Sequence, residues 1–157
     1  EPIYAQTHAA APPADDVSVV AVHYRTDDIQ ARLAAVQDKL RADRDAGLAL
    51  IFSSESQAHN RLTTPTLSLA LNSLLPGGNQ RAHRHNATAI SLVLQGRDCY
   101  SMIAGERIEW IDHAVMITPP GDLHSHHNDG DVGAQFLIVQ DSGLYYIART
   151  MGFAYGE

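Results

Sequence analysis

Residues 78–96 read GNQRAHRHNATAISLVLQG, and the fold turns on whether this stretch is a strand. In an extended chain residues i and i+2 face the same side, so a strand would direct the imidazoles of His83 and His85 to one point. Ala87, Ala89 and Ser91 share that parity and would leave space beside them. Taken alone, the pair admits two readings: two histidines on the wall of a barrel, or part of a metal site.

The second histidine cluster weighs on that choice. Residues 118–129, TPPGDLHSHHND, open on a turn at Pro119-Pro120-Gly121 and then present His124, His126 and Asn128 to one strand face. A third imidazole is thereby available to His83 and His85. His127 has the opposite parity and is expected to face solvent.

Around these clusters the chain consists of short apolar runs: LALIF, TLSLALNSLL, AISLVLQG, CYSMI, RIEWI, AVMIT, AQFLIV and LYYIA, separated by PGG, AGE, PPGD and NDGDVG. Short strands at this pitch with no helical period between them predict an antiparallel sandwich or barrel. Ala104-Gly105 supplies the hairpin turn that brings strand 106–111 back along strand 98–103. Upstream, VSVVAVHY at 17–24 is β-branched and reads as a strand. Thr26-Asp27-Asp28 then offers an N-cap and an acidic first turn, and Ile29, Leu33, Val36 and Leu40 follow at helical spacing up to Gly47. One amphipathic helix over about 27–46 is expected. Residues 1–16, EPIYAQTHAAAPPADD, are Ala/Pro-rich without apolar period and read as an extended arm, free or held by a partner.

Composition bounds the function. The chain has 157 residues, enough for one domain with a complete core, and 11 Lys plus Arg against 18 Asp plus Glu give a net charge of −7. Nucleic-acid binding as the main task is unexpected, because counterion release needs a basic face; a small-molecule partner is expected. Cys99 is the single cysteine, so no intrachain disulfide is needed and a cytoplasmic location is the default. No stretch approaches the roughly 18 apolar residues of a membrane span. The chain opens on Glu1, which leaves room for a signal removed before it.

The two clusters resemble the two motifs of the cupin superfamily, G-x(n)-H-x-H-x(3,4)-E-x6-G over 78–96 and G-x5-P-x-G-x2-H-x3-N over 105–128, with Pro119, Gly121, His124 and Asn128 in register. The glutamate of the first motif falls at Ala89, leaving three histidines and no carboxylate. That pattern, with Ala82-His83-Arg84-His85, Ala89, Pro119-Pro120, His124, His126 and Asn128, is most similar to the gentisate and 1-hydroxy-2-naphthoate 1,2-dioxygenases. The resemblance implies an all-β fold, a single jelly-roll cupin barrel over about 48–150 within a domain spanning 17–157, preceded by the helix and the arm packed across a dimer partner. It further implies Fe(II) on His83, His85 and His124, with His126 and Asn128 as neighbouring or substrate-contacting groups. An arginine usual in those relatives is Ser91 here, and they are typically two-cupin chains, whereas this one has room for one.

Three neutral imidazoles would leave the full charge on the ion and about three octahedral positions open, which suits a chelating anion with O₂ beside it. An Fe(II)-dependent dioxygenase that chelates a hydroxylated aromatic acid or phenol and opens the ring is the expected function, as a homodimer or higher homo-oligomer. Zn, Mn and Ni are alternative ions. A three-histidine thiol dioxygenase and a non-catalytic metal-dependent small-ligand-binding cupin are the alternative functions; a Zn or Mn cupin doing isomerisation or hydrolysis is a third. His126 is assigned the catalytic part, orienting or protonating the bound molecule, against a hydrogen bond to nearby backbone. Arg81, Ser91 and Asn128 are assigned to substrate binding, Arg81 against a place on the solvent rim and Asn128 against a turn-stabilising amide. His8, His23, His59 and His113 have no partner at ligand spacing. Cys99 is read as core rather than reactive thiol, and Trp110, Tyr145 and Tyr146 as strand residues in packing rather than on a substrate.

Overall fold

The computed structural model describes residues 21–40 and 48–156; the expected arm and the end of the helix lie outside them. Two five-stranded antiparallel sheets face each other. One has the order β1 (Leu48–Phe52), β2 (Ser68–Leu74), β9 (Ala134–Gln140), β4 (Ala89–Gln95), β7 (Val115–Thr118). The other runs β10 (Phe153–Tyr155), β3 (Asn79–His85), β8 (His124–Asn128), β5 (Cys99–Ile103), β6 (Glu106–Glu109). Consecutive strands are distributed between the sheets, as in a jelly roll.

The strands form because their apolar residues alternate, and the character of the inward rows divides the interior in two. Cross-strand partners Leu74 and Ala134, Asn72 and Phe136, Ala70 and Ile138, and Ser68 and Gln140 run along β2 and β9; β4 adds Val93, Ser91 and Ala89 opposite Phe136, Ile138 and Gln140. At one end Leu74, Val93, Cys99, Trp110, Met116, Ala134 and Phe136 close into a core. Toward the other end the same rows turn small and polar, which leaves the barrel hollow there. Two close-packed sheets hold about 10 Å of side chain between them, so rows of Ala, Ser and Asn cannot meet across the gap.

Helix α1 (Thr26–Leu40) begins on the predicted acidic turn and lays Leu33 on Phe52 and Leu71, on the outer side of the β1/β2 sheet. The β5–β6 hairpin turns at Ala104 and Gly105, both with positive φ (51° and 86°), as a type I′ turn requires. Trp110 and Cys99 are core residues, as expected; burial, helped by Asp98 and Asp129, pushes the Cys99 thiol up to about 11, so it stays protonated at neutral pH.

Three expectations are corrected. LYYIA is not a strand: residues Ser142–Ala148 form helix α2, since a short apolar run carries no decisive period. Tyr145 and Tyr146 therefore sit on a helix. In the segment read as a strand at 17–24, residues 21–24 pair with no strand and are exposed. The barrel also continues past 150 into β10, whose Phe153 and Tyr155 pair with His85 and His83.

Helix α2 is seated by Gly143, whose amide donates to the Thr66 carbonyl at 3.1 Å. A Cβ added there would lie 2.5 Å from the Pro65 carbonyl oxygen and 2.7 Å from the Thr66 carbonyl carbon. Gly143→Ala is expected to cost about 1–3 kcal/mol by forcing the helix off the sheet; an unchanged urea midpoint would contradict this packing.

Candidate metal centre

His83 and His85 on β3 and His124 on β8 converge as the spacing implied: the ligand atoms of the three all lie within 4.8 Å of one another, and all three residues are buried. His83 and His124 are direct cross-strand partners with ring centroids 4.3 Å apart. Each ring is fixed by a carbonyl of its own neighbourhood. Nδ1 of His83 lies 2.8 Å from the Arg81 carbonyl, Nδ1 of His85 2.8 Å from that of Ala87, and Nδ1 of His124 2.9 Å from that of Asp122. A carbonyl only accepts, so each Nδ1 carries the proton and each Nε2 keeps its lone pair for a cation. Nε2 of His85 meanwhile accepts from the Gln140 amide at 3.3 Å.

Burial favours the neutral form of two of these imidazoles, His83 and His124. His124 is pushed down to about 4, chiefly by desolvation, then by the neighbouring His83 and His85 and against the pull of the Asp122 carbonyl. His83 is lowered as well, by burial first and then by His85, against the Arg81 carbonyl. Three buried imidazoles whose ligand atoms lie this close together fit a divalent cation of the nitrogen-binding group. The chain therefore has a three-histidine metal-binding site.

The centre opens into a cavity of about 440 Å³, within the range that holds a small organic ligand. Ala89 and Ser91 line it, as the parity of β4 required. His126 lines it too, and is pushed down to about 3 by burial, with smaller contributions from His124, His83 and His127. Its Nδ1 is 2.7 Å from Ser101 Oγ, which also accepts from Trp110 Nε1 at 2.8 Å and has Met116 Sδ at 3.6 Å. The hydroxyl has one proton, and imidazole nitrogen is a better acceptor than a thioether. The Ser101 O–H accordingly donates to Nδ1, leaving Nε2–H as the outer donor of a neutral His126.

Two candidate residues are placed elsewhere. Gln80 pairs with His126 and His83 with His124, so residues 81 and 82 together oppose Ser125 alone. This bulge reverses the parity: Gln80 lines the cavity, while Arg81 is exposed, its guanidinium 4.7 Å from the Tyr155 ring centre and 3.5 Å from the Gly156 carbonyl. Asn128 is fully buried but does not line the cavity. Its amide donates to the carbonyls of Leu74, Leu75 and Val132, and its oxygen accepts from the Gly130 amide and the Cys99 thiol. It pins the loop after β8 to the end of β2. His127 is half-buried against Tyr100, away from the cavity as expected.

The cavity also takes residues that the histidine spacing did not single out: Asn60, Arg61 and Leu62 from the β1–β2 connection, Asn72, Gln140, and Tyr146 of α2. No Asp or Glu is among the described residues that line it. Gln80 Oε1 is buried with no hydrogen-bond partner.

Residues 71–140 match the family described as Cupin domain, and with the two-sheet topology this makes the chain's β region a cupin barrel. Among characterised proteins, it is 30% identical over 124 residues to a gentisate 1,2-dioxygenase of Haloferax sp, covering 77% of this chain and 35% of that one. It is 36% identical over 83 residues to the 1-hydroxy-2-naphthoate 1,2-dioxygenase of Nocardioides sp., covering 52% of this chain and 21% of that one. The crystal structure of a salicylate 1,2-dioxygenase from Pseudaminobacter salicylatoxidans superposes with a TM-score of 0.82 at 20% identity, over 100% of this chain and 45% of that one. This chain thus spans about a third or less of the length of these curated relatives.

Two outcomes follow from the site. In the metal-stripped protein the unfolded chain binds protons at His124 and His126 near pH 6.5, while the folded chain does so only near 4 and 3. Stability must then fall as pH drops from 6.5 toward 4, by about 1.4 kcal/mol per pH unit per histidine, as read by urea denaturation. A flat profile over that window would refute the buried neutral state. Separately, Gln80→Leu removes an unpaired buried acceptor and is expected to stabilise the ligand-free protein by about 1 kcal/mol; a lower urea midpoint would show that the oxygen has a partner.

Proposed function

We propose that the protein is a non-haem Fe(II) dioxygenase that binds a hydroxylated aromatic acid or phenol at the His83, His85 and His124 centre and opens its ring with O₂. The observation that carries this reading is the set of three buried imidazoles, with no carboxylate among them, beside a hollow whose size suits one ring. The metal would supply Lewis acidity and a template that holds substrate and O₂ together. Similarity to curated ring-cleaving dioxygenases supports the same class.

The chain's own residues would divide the work. His83, His85 and His124 hold the ion, and their carbonyl anchors keep the rings aimed during turnover. Ala89 and Ser91 give the ring room, with the Ser91 hydroxyl available to a polar substituent. His126, neutral and with Nε2–H outward, is the catalytic candidate as a hydrogen-bond donor to charge that develops on oxygen. A proton-donating cation at that position would be costly, given its burial. Leu62, Leu69 and Ile138 on the cavity wall limit water. Homodimer assembly and a cytoplasmic location belong to the same proposal; among the described residues no helix is long and apolar enough to cross a membrane.

The test pairs metal content with oxygen uptake. Protein loaded anaerobically with Fe(II) should consume O₂ with gentisate-type phenolic acids, and His124→Ala should lose both iron and uptake. Iron-loaded protein that consumes O₂ with small thiols alone would replace this reading with a thiol dioxygenase. Unchanged iron content in His124→Ala would remove that residue from the centre.

A further inference from the structure

Resting on that reading of the function, we propose that Arg61 is the substrate's carboxylate anchor, a specificity-determining residue supplied by the β1–β2 connection rather than by the strands of the metal centre. Among the described residues that line the cavity Arg61 is the sole Lys or Arg, and none of them is a carboxylate. No hydrogen bond or ion pair of its guanidinium occurs among the described residues. An unpaired cation at the mouth of a hollow without acidic groups attracts anions, and a guanidinium grips a carboxylate with two parallel hydrogen bonds.

The position of Arg61 is set by its backbone. Residues Glu55–Asn60 form a 3-10 turn that ends at Arg61, in the left-handed region with φ 57° and ψ 37°. The Arg61 amide donates to the Ala58 carbonyl at 3.2 Å and the Leu62 amide to that of Gln57 at 3.3 Å. Leu62 itself is buried, and its carbonyl accepts from the Ser54 amide at 3.2 Å. Three backbone bonds and a buried side chain thus lock the turn around the arginine. Glycine or asparagine would fit such a backbone more easily.

The wall beyond it is uncharged. Asn60, Asn72, Gln80 and Gln140 supply amides, and the imidazoles of His83, His124 and His126 are placed to present nitrogens. A ring entering with its carboxylate on Arg61 would have hydroxyl or amino substituents facing acceptors, Gln80 Oε1 among them, which has no other partner.

The experiment is calorimetric binding to the anaerobic Fe(II) protein, which requires no turnover. The probes are gentisate and hydroquinone, the same dihydroxy ring with and without its carboxylate. R61Q should bind gentisate about ten-fold more weakly in low salt and hydroquinone as the wild type does. R61G should lose the same affinity while its thermal midpoint stays level or rises, because glycine relieves the left-handed backbone; this separates lost charge from a damaged turn. Equal loss for both rings, or none for gentisate, in R61Q overturns the anchor. Wild-type protein that binds neither ring overturns the proposed function itself and the anchor with it.

Discussion

Everything in the site depends on three hydrogen bonds between imidazole Nδ1 atoms and backbone carbonyls two residues away. Arg81, Ala87 and Asp122 provide those carbonyls, so each ring is anchored by backbone beside its own strand rather than by a separate side chain. The consequence is economy of sequence. Placing β3 beside β8 in register is sufficient to bring three Nε2 lone pairs together, and register is what a sheet fixes most firmly when one face is buried. Asn128 supports that register from the far end of β8 by tying together five groups from the end of β2, the start of β5 and the loop after β8.

The interior is a compromise between a core and a void. Phe136, Trp110 and Val93 fill one end of the barrel, while Ala89, Ser91 and Ala70 leave the other open. Small residues there forgo contacts that larger side chains would make, and buried imidazoles with depressed affinities for protons add to the cost. Such costs concentrate where a ligand compensates them.

The i, i+2 rule turned His83 and His85 of β3 and His124 and His126 of β8 to one side as expected, but one parity does not run on to Ser91: residues 78–96 form two strands in opposite sheets, and Ser91 reaches the cavity from β4. The rule failed at Arg81 because a bulge is a local count of residues against a partner strand, and the partner's count is invisible in one segment. Asn128 shares the parity of His124, yet its amide is captured by carbonyls that only the folded chain brings near. LYYIA was ambiguous in the way short apolar runs are: a five-residue run fits either period, and the seating of Gly143 against Pro65 and Thr66 settles it. Arg61 and Gln140 come from a turn and a strand end distant from both histidine clusters, so no spacing rule connects them with the metal centre.

The central claim is that His83, His85 and His124 bind one ion through Nε2. Anomalous diffraction at the iron edge from anaerobically loaded crystals tests it most directly. The account predicts a single peak at about 2.0–2.2 Å from the three Nε2 atoms, with Nδ1 of each ring still on its carbonyl. A peak bound through His126 instead of His124, or through any Nδ1, would contradict it.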